Sequence, residues 1–77
     1  MATLNIEPIY VLLGAKICHI RTNLGMTQAE FADIIGQTRA SIANMEAGKA
    51  RIHLHTLEQL AKAFHMSPRH FLKGIWV

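Results

Sequence analysis

The stretch Thr27–Gly48, TQAEFADIIGQTRASIANMEAG, decides the fold. Its first residue, Thr27, stands three positions before Glu30. That spacing is a capping box, in which each side chain accepts a hydrogen bond from the other residue's backbone N–H at a helix start. Phe31, Ala32, Ile34 and Ile35 then make one apolar helical stripe. Gly36 stops this helix, because glycine takes the left-handed backbone conformation that ends helices. Two residues later Thr38 offers a second N-cap, and Ile42 and Met45 give the next helix, about 38–47, a single apolar face. Gly48 ends it in turn.

Two short helices joined at a glycine read as a helix-turn-helix. With Ile42 and Met45 inward, the second helix presents Arg39, Ala40, Ala43 and Asn44 to its surroundings. Arginine can bond bidentately to guanine, asparagine can do so to adenine, and a small apolar residue can touch a thymine methyl. The plainer reading is a solvated helix face, since these residue types are common. The turn geometry beside them favours base contact. Thr38 and Ser41 can add hydroxyl contacts to phosphate or bases. Lys49 and Arg51, just beyond the helix, can neutralise phosphates.

These residues resemble the Xre family of helix-turn-helix proteins, which includes the phage repressors and Cro proteins. The likeness rests on Gln28 at the head of the first helix, Ala32 where the helices pack, Gly36 in the turn, inward Ile42 and Met45, and the run IANMEAG at 42–48. It spans about Leu13 to about Phe71. It departs at Gln37, where the family usually has an apolar residue, and at Ile52 and His53, where it often has proline and serine.

The resemblance implies an all-α, five-helix, lambda-repressor-like DNA-binding domain. It implies a phosphate contact for Gln28 and dimerisation through the C-terminal helices. It also implies a structural ion pair between Arg21 and Glu46, which would fix the first helix of the chain to the recognition helix. From its position alone, Arg21 could instead contact phosphate or water.

Taken in order, residues 1–7 form an N-terminal arm and 8–77 a single domain. The arm carries no Lys or Arg, so packing on the protein or disorder suits it better than reaching along DNA. Pro8 suits a first helical turn, and Ile9, Leu12, Leu13, Ile17, Ile20 and Leu24 recur at helical spacing. The first helix should therefore run from about Pro8 to Thr22, with Gly14 as a weak point or break. Leu54, Leu57, Leu60, Ala61 and Phe64 mark a later core-facing stripe. Ser67 caps a last helix, Pro68 to Lys73, with Phe71 and Leu72 buried. The apolar tail Ile75-Trp76-Val77 must cover something, either its own core or a second subunit. With the family's habit of dimerising, Phe71, Ile75, Trp76 and Val77 are the expected dimer interface.

Composition narrows the class. In 77 residues there is room for one domain, and 51% hydrophobic content in so short a chain implies apolar surface covered by a partner. A formal charge of +3 is compatible with phosphate binding. One cysteine, Cys18, excludes an intramolecular disulfide and a thiolate metal cluster, and a reducing cytoplasm fits. No apolar run is long enough to span a membrane. Five histidines, among them His53, His55, His65 and His70, lack the convergent acidic or thiolate help a metal site needs. His19 beside Cys18 could suggest a base and nucleophile, but adjacent helical residues do not face each other.

The expected function is sequence-specific regulation of transcription, without cofactor, metal or catalysis. The recognition helix would sit in the major groove of double-stranded DNA, with a homodimer on a near-palindromic operator. Repressor and controller proteins fit the chain's size. The alternative is a protein-interaction module, such as the antitoxin of a toxin–antitoxin pair, or one that binds the transcription machinery. Arg39, Asn44, Lys49 and Arg51 favour DNA.

Overall fold

The computed structural model describes residues 8–75. Among them are five helices: α1 Pro8–Asn23, α2 Gln28–Ile35, α3 Arg39–Glu46, α4 Leu54–Ala63 and α5 Pro68–Phe71. The expected arm at 1–7, and Trp76 and Val77 of the tail, lie outside the described residues.

The helix ends follow the local chemistry. Thr27 and Glu30 close the capping box, with N···O distances of 3.1 Å and 2.8 Å. Gly36 adopts φ 69°, and the N–H of Gln37 returns to the carbonyl of Ala32 at 2.9 Å. The chain can then turn sharply into Thr38, whose hydroxyl accepts from the N–H of Ser41 and caps α3. Gln37 is half-buried, and its side-chain carbonyl accepts from the Ser41 hydroxyl at 3.1 Å. A hydrogen bond thus stands in the turn where the family usually packs an apolar residue. His53 begins α4 without a side-chain cap, whereas Ser67 caps α5 through the N–H of His70.

α3 is held between α1 and α2, while α4 packs on α2 and carries α5. Leu13 and Ile17 of α1, Phe31 and Ile35 of α2, and Ile42 and Met45 of α3 meet in one core with Leu57 and Leu60 of α4. Phe31 stacks on Phe64 with ring centroids 4.8 Å apart, and Phe71 closes the cluster at 5.9 Å from Phe64. Lys16 ties the C-terminal turn to α1: its ammonium donates to the Lys73 carbonyl at 2.8 Å and lies over the Phe71 ring.

Several sequence expectations are corrected here. α1 is unbroken at Gly14, because the glycine is buried where α1 crosses the end of α3. A Cβ there would collide with the Met45 carbonyl oxygen and lie 2.9 Å from that of Glu46. Leu12, Leu24, Ile34 and Leu54 are exposed rather than core-facing. Ile34 lies about 100° around α2 from the centre of the buried face set by Phe31, Ala32 and Ile35. Leu12 is similarly turned away from Leu13 and Ile17, Leu24 follows the end of α1, and Leu54 is the first residue of α4, ahead of the stripe that meets the core. α5 stops at Phe71 instead of Lys73, and Leu72 is half-buried. Phe71, expected at a dimer interface, is fully buried in the protomer's own core and has no surface to give a partner. Ile75 is half-buried against that core.

Candidate nucleic-acid interface

α3 buries Ile42 and Met45 and turns Arg39, Ala40 and Asn44 to solvent, with Ala43 half-buried beside them. Arg39 and Ala40 open the helix, and Ala43 and Asn44 follow one turn after them. Thr38 is exposed at the N-cap and Ser41 is half-buried behind it. The Thr38 hydroxyl oxygen already accepts the Ser41 N–H, so its O–H is what it can offer outward. Ser41 donates its own hydroxyl to Gln37, which makes it a supporting residue in this state. Lys49 and Arg51 are exposed in the segment after Gly48. Four side chains able to read base edges thus lie along the outer face of α3, with a hydroxyl and two cations around them.

The position of α3 depends on a buried cluster. Arg21, at the end of α1, grips Glu46, at the end of α3, through two parallel bonds: Nε to Oε2 at 2.6 Å and Nη2 to Oε1 at 3.1 Å. Both side chains are nearly enclosed, 11% and 7% exposed. Arg21 also donates from Nη1 to the carbonyl of Met26 at 2.6 Å, which holds the loop before α2. Gln28, at the first turn of α2, donates from Nε2 to Glu46 Oε1 at 3.0 Å. Three helices therefore converge on one carboxylate. The Cys18 thiol packs 3.8 Å from Arg21 Nη2 at the edge of this cluster.

Burial pushes the Glu46 carboxyl upward, but the hydrogen bonds from Arg21 and Gln28 and the charge of Arg21 outweigh it and hold it below its ordinary value. Its hydrogen bond to Glu46 raises the Arg21 guanidinium against the opposing effect of burial. The pair is ionised at neutral pH and internally neutralised. Glu30 is also lowered, first by the Thr27 backbone N–H and then by its hydroxyl.

Two features of this region had little sequence signal. Gly14 admits the close crossing of α1 and α3, and an isolated glycine inside a helical pattern was the only hint of it. The Gln28–Glu46 bond joins residues 18 apart on different helices, and no periodicity reports such a pair. His19 meets Asn23 rather than Cys18. Among the described residues no group of three His, Cys, Asp or Glu could hold a metal ion, and no helix is long and apolar enough to cross a membrane.

The same fold occurs in known proteins. A family model described as helix-turn-helix matches residues 19–71. The SPbeta prophage-derived uncharacterized HTH-type transcriptional regulator YonR of Bacillus subtilis (strain 168) is 35% identical over 63 residues, covering 82% of this chain and 58% of that protein. The chain thus matches little more than half of that relative's length. The restriction-modification controller protein C.AhdI from Aeromonas hydrophila superposes with a TM-score of 0.76 at 27% identity, over 80% of this chain and 94% of the other. The DNA-binding domain of the P22 C2 repressor superposes with a TM-score of 0.75 at 29% identity, over 80% and 82%. Capped α2, the glycine turn, capped α3 and the match across residues 19–71 place this chain in the helix-turn-helix family of the Xre and Cro type.

Proposed function

We propose that this protein regulates transcription by binding double-stranded DNA sequence-specifically, with α3 in the major groove. The observation that carries this reading is the outer face of α3: Arg39, Ala40 and Asn44 exposed together on a helix whose opposite face is locked by Ile42, Met45 and the Arg21–Glu46 pair. Arg39 and Asn44 supply bidentate readers for guanine and adenine, and Ala40 and Ala43 supply small apolar surfaces for thymine methyls. Gln28, Thr38, Ser41, Lys49 and Arg51 surround that face and hold the phosphate backbone, fixing register. Relatives named as a transcriptional regulator, a controller protein and a repressor support the reading.

The protein acts as a homodimer on a near-palindromic site, with half-sites about 34 Å apart so that two recognition helices meet successive major grooves. Phe71 takes no direct part in that interface. It anchors α5 from inside the protomer, and the half-buried Leu72 and Ile75 beside it offer apolar surface to a second copy.

Selection from a random duplex library tests the proposal. The expected product is an enriched inverted repeat, with Arg39→Ala and Asn44→Ala each relaxing preference at particular positions. No enrichment at low salt would overturn the regulator reading and point to a protein partner.

A further inference from the structure

We propose that Glu46 is a positioning residue for DNA backbone binding, orienting the Gln28 carboxamide so that it presents a fixed N–H to a phosphate. This rests on the DNA-binding reading above and adds a role that a purely structural Arg21–Glu46 pair would not have.

A glutamine side chain at a helix start has several rotamers, and its amide can face either way. Here the choice is removed. Glu46 Oε1 is an ionised acceptor 3.0 Å from Gln28 Nε2, so the amino end must face it and the amide oxygen cannot. Glu46 is itself immobile, gripped through both oxygens by Arg21. The Gln28 amino group carries two N–H donors and uses one on Glu46. The second is the donor left for a ligand at the N-terminus of α2, where the helix dipole also favours an anion. Arg21 neutralises Glu46, so the carboxylate can serve this purpose near DNA without setting a net negative charge against the phosphates. The relay runs from α1 through α3 to α2, and it links the angle of the recognition helix to the phosphate clamp that sets its register.

A double-mutant cycle on mixed-sequence duplex DNA at low salt tests the proposal, since phosphate contacts do not depend on sequence. Gln28→Ala should weaken binding about tenfold in the wild-type background, the size of a lost hydrogen bond to a charged group. In the Glu46→Gln background, where one acceptor oxygen becomes a donor group, the same change should cost less than about twofold. An equal loss in both backgrounds would mean that Glu46 is only structural, and would overturn the proposal while leaving DNA binding intact. Absence of any duplex binding by the wild type would overturn both readings. Should Glu46→Gln fail to fold, NMR of the wild-type Gln28 carboxamide decides the question. Its two protons should be well separated and should move together as Glu46 titrates in acid. A freely averaging carboxamide indifferent to that titration would refute the relay.

Discussion

Gly14 lies in the crossing of α1 and α3 so closely that an added Cβ would strike the carbonyl oxygen of Met45. The obstacle is backbone at the end of a helix, not a side chain that could swing aside. Alanine normally improves a helix interior by about 1 kcal/mol over glycine. At this position the sign should reverse. Gly14→Ala should destabilise by about 1–3 kcal/mol, as overpacked cores do, because α1 must move off α3. Urea denaturation of the two proteins side by side measures the difference, and a gain in stability would refute the close crossing.

The Arg21–Glu46 pair makes a prediction for stability and for pH. Both side chains are nearly enclosed, so removing one partner strands a charge. Arg21→Met should cost about 3–5 kcal/mol. The Glu46 carboxyl is held below its ordinary 4.5 in the folded protein. Its contribution is therefore complete above that value and is lost as pH falls through the lower folded one. Wild-type urea midpoints should therefore fall as pH drops below about 4.5. In Glu46→Gln the midpoint should be lower at neutral pH, and its fall in acid shallower. Some acid sensitivity should persist through Glu30, whose carboxyl is lowered by the capping box.

Two leucines of α4 should behave in opposite ways although the sequence places them in one stripe. Leu57 is buried and Leu54 is 81% exposed. Leu57→Ala should cost about 2–5 kcal/mol, whereas Leu54→Gln should change stability by no more than about 0.5 kcal/mol. Thermal unfolding of both variants tests which side of α4 faces the core. Phe64→Ala belongs with the first group, at about 3–5 kcal/mol, since its ring lies between Phe31 and Phe71.

These contrasts show what the sequence could and could not tell. The helix-turn-helix was legible because its signals are local: Thr27 with Glu30, Gly36, Thr38, and the pair Ile42 and Met45 all act within one or two turns of chain. Which apolar residues lie outside the core was less legible. Leu12, Ile34 and Leu54 satisfy a helical spacing, yet the width and direction of the buried face are set by neighbouring helices. Gly14 looked like a defect because helix propensity sees only its own helix. Its reason lies on α3, across the core. The Arg21–Glu46 pair is legible in the sequence only through family resemblance, and the third member, Gln28, meets it only where three helices come together.

Reading and gripping on the DNA face fall to different residues. Asn44 is exposed on α3, one turn after Ala40, while Lys49 is exposed beyond its C-terminal end. A side chain that bonds a base edge discriminates among bases, so Asn44→Ala should lower affinity for the selected site by about 1–3 kcal/mol and leave mixed-sequence binding nearly unchanged. A cation that only displaces counterions has no such preference. Lys49→Ala should weaken selected and mixed-sequence duplexes alike, and should reduce the slope of log K against log salt by about one. Fluorescence anisotropy on both duplexes across a salt series measures the two effects together. If Asn44→Ala instead weakened both duplexes equally, α3 would be gripping phosphate through this residue, and the proposed orientation of the helix in the groove would be wrong.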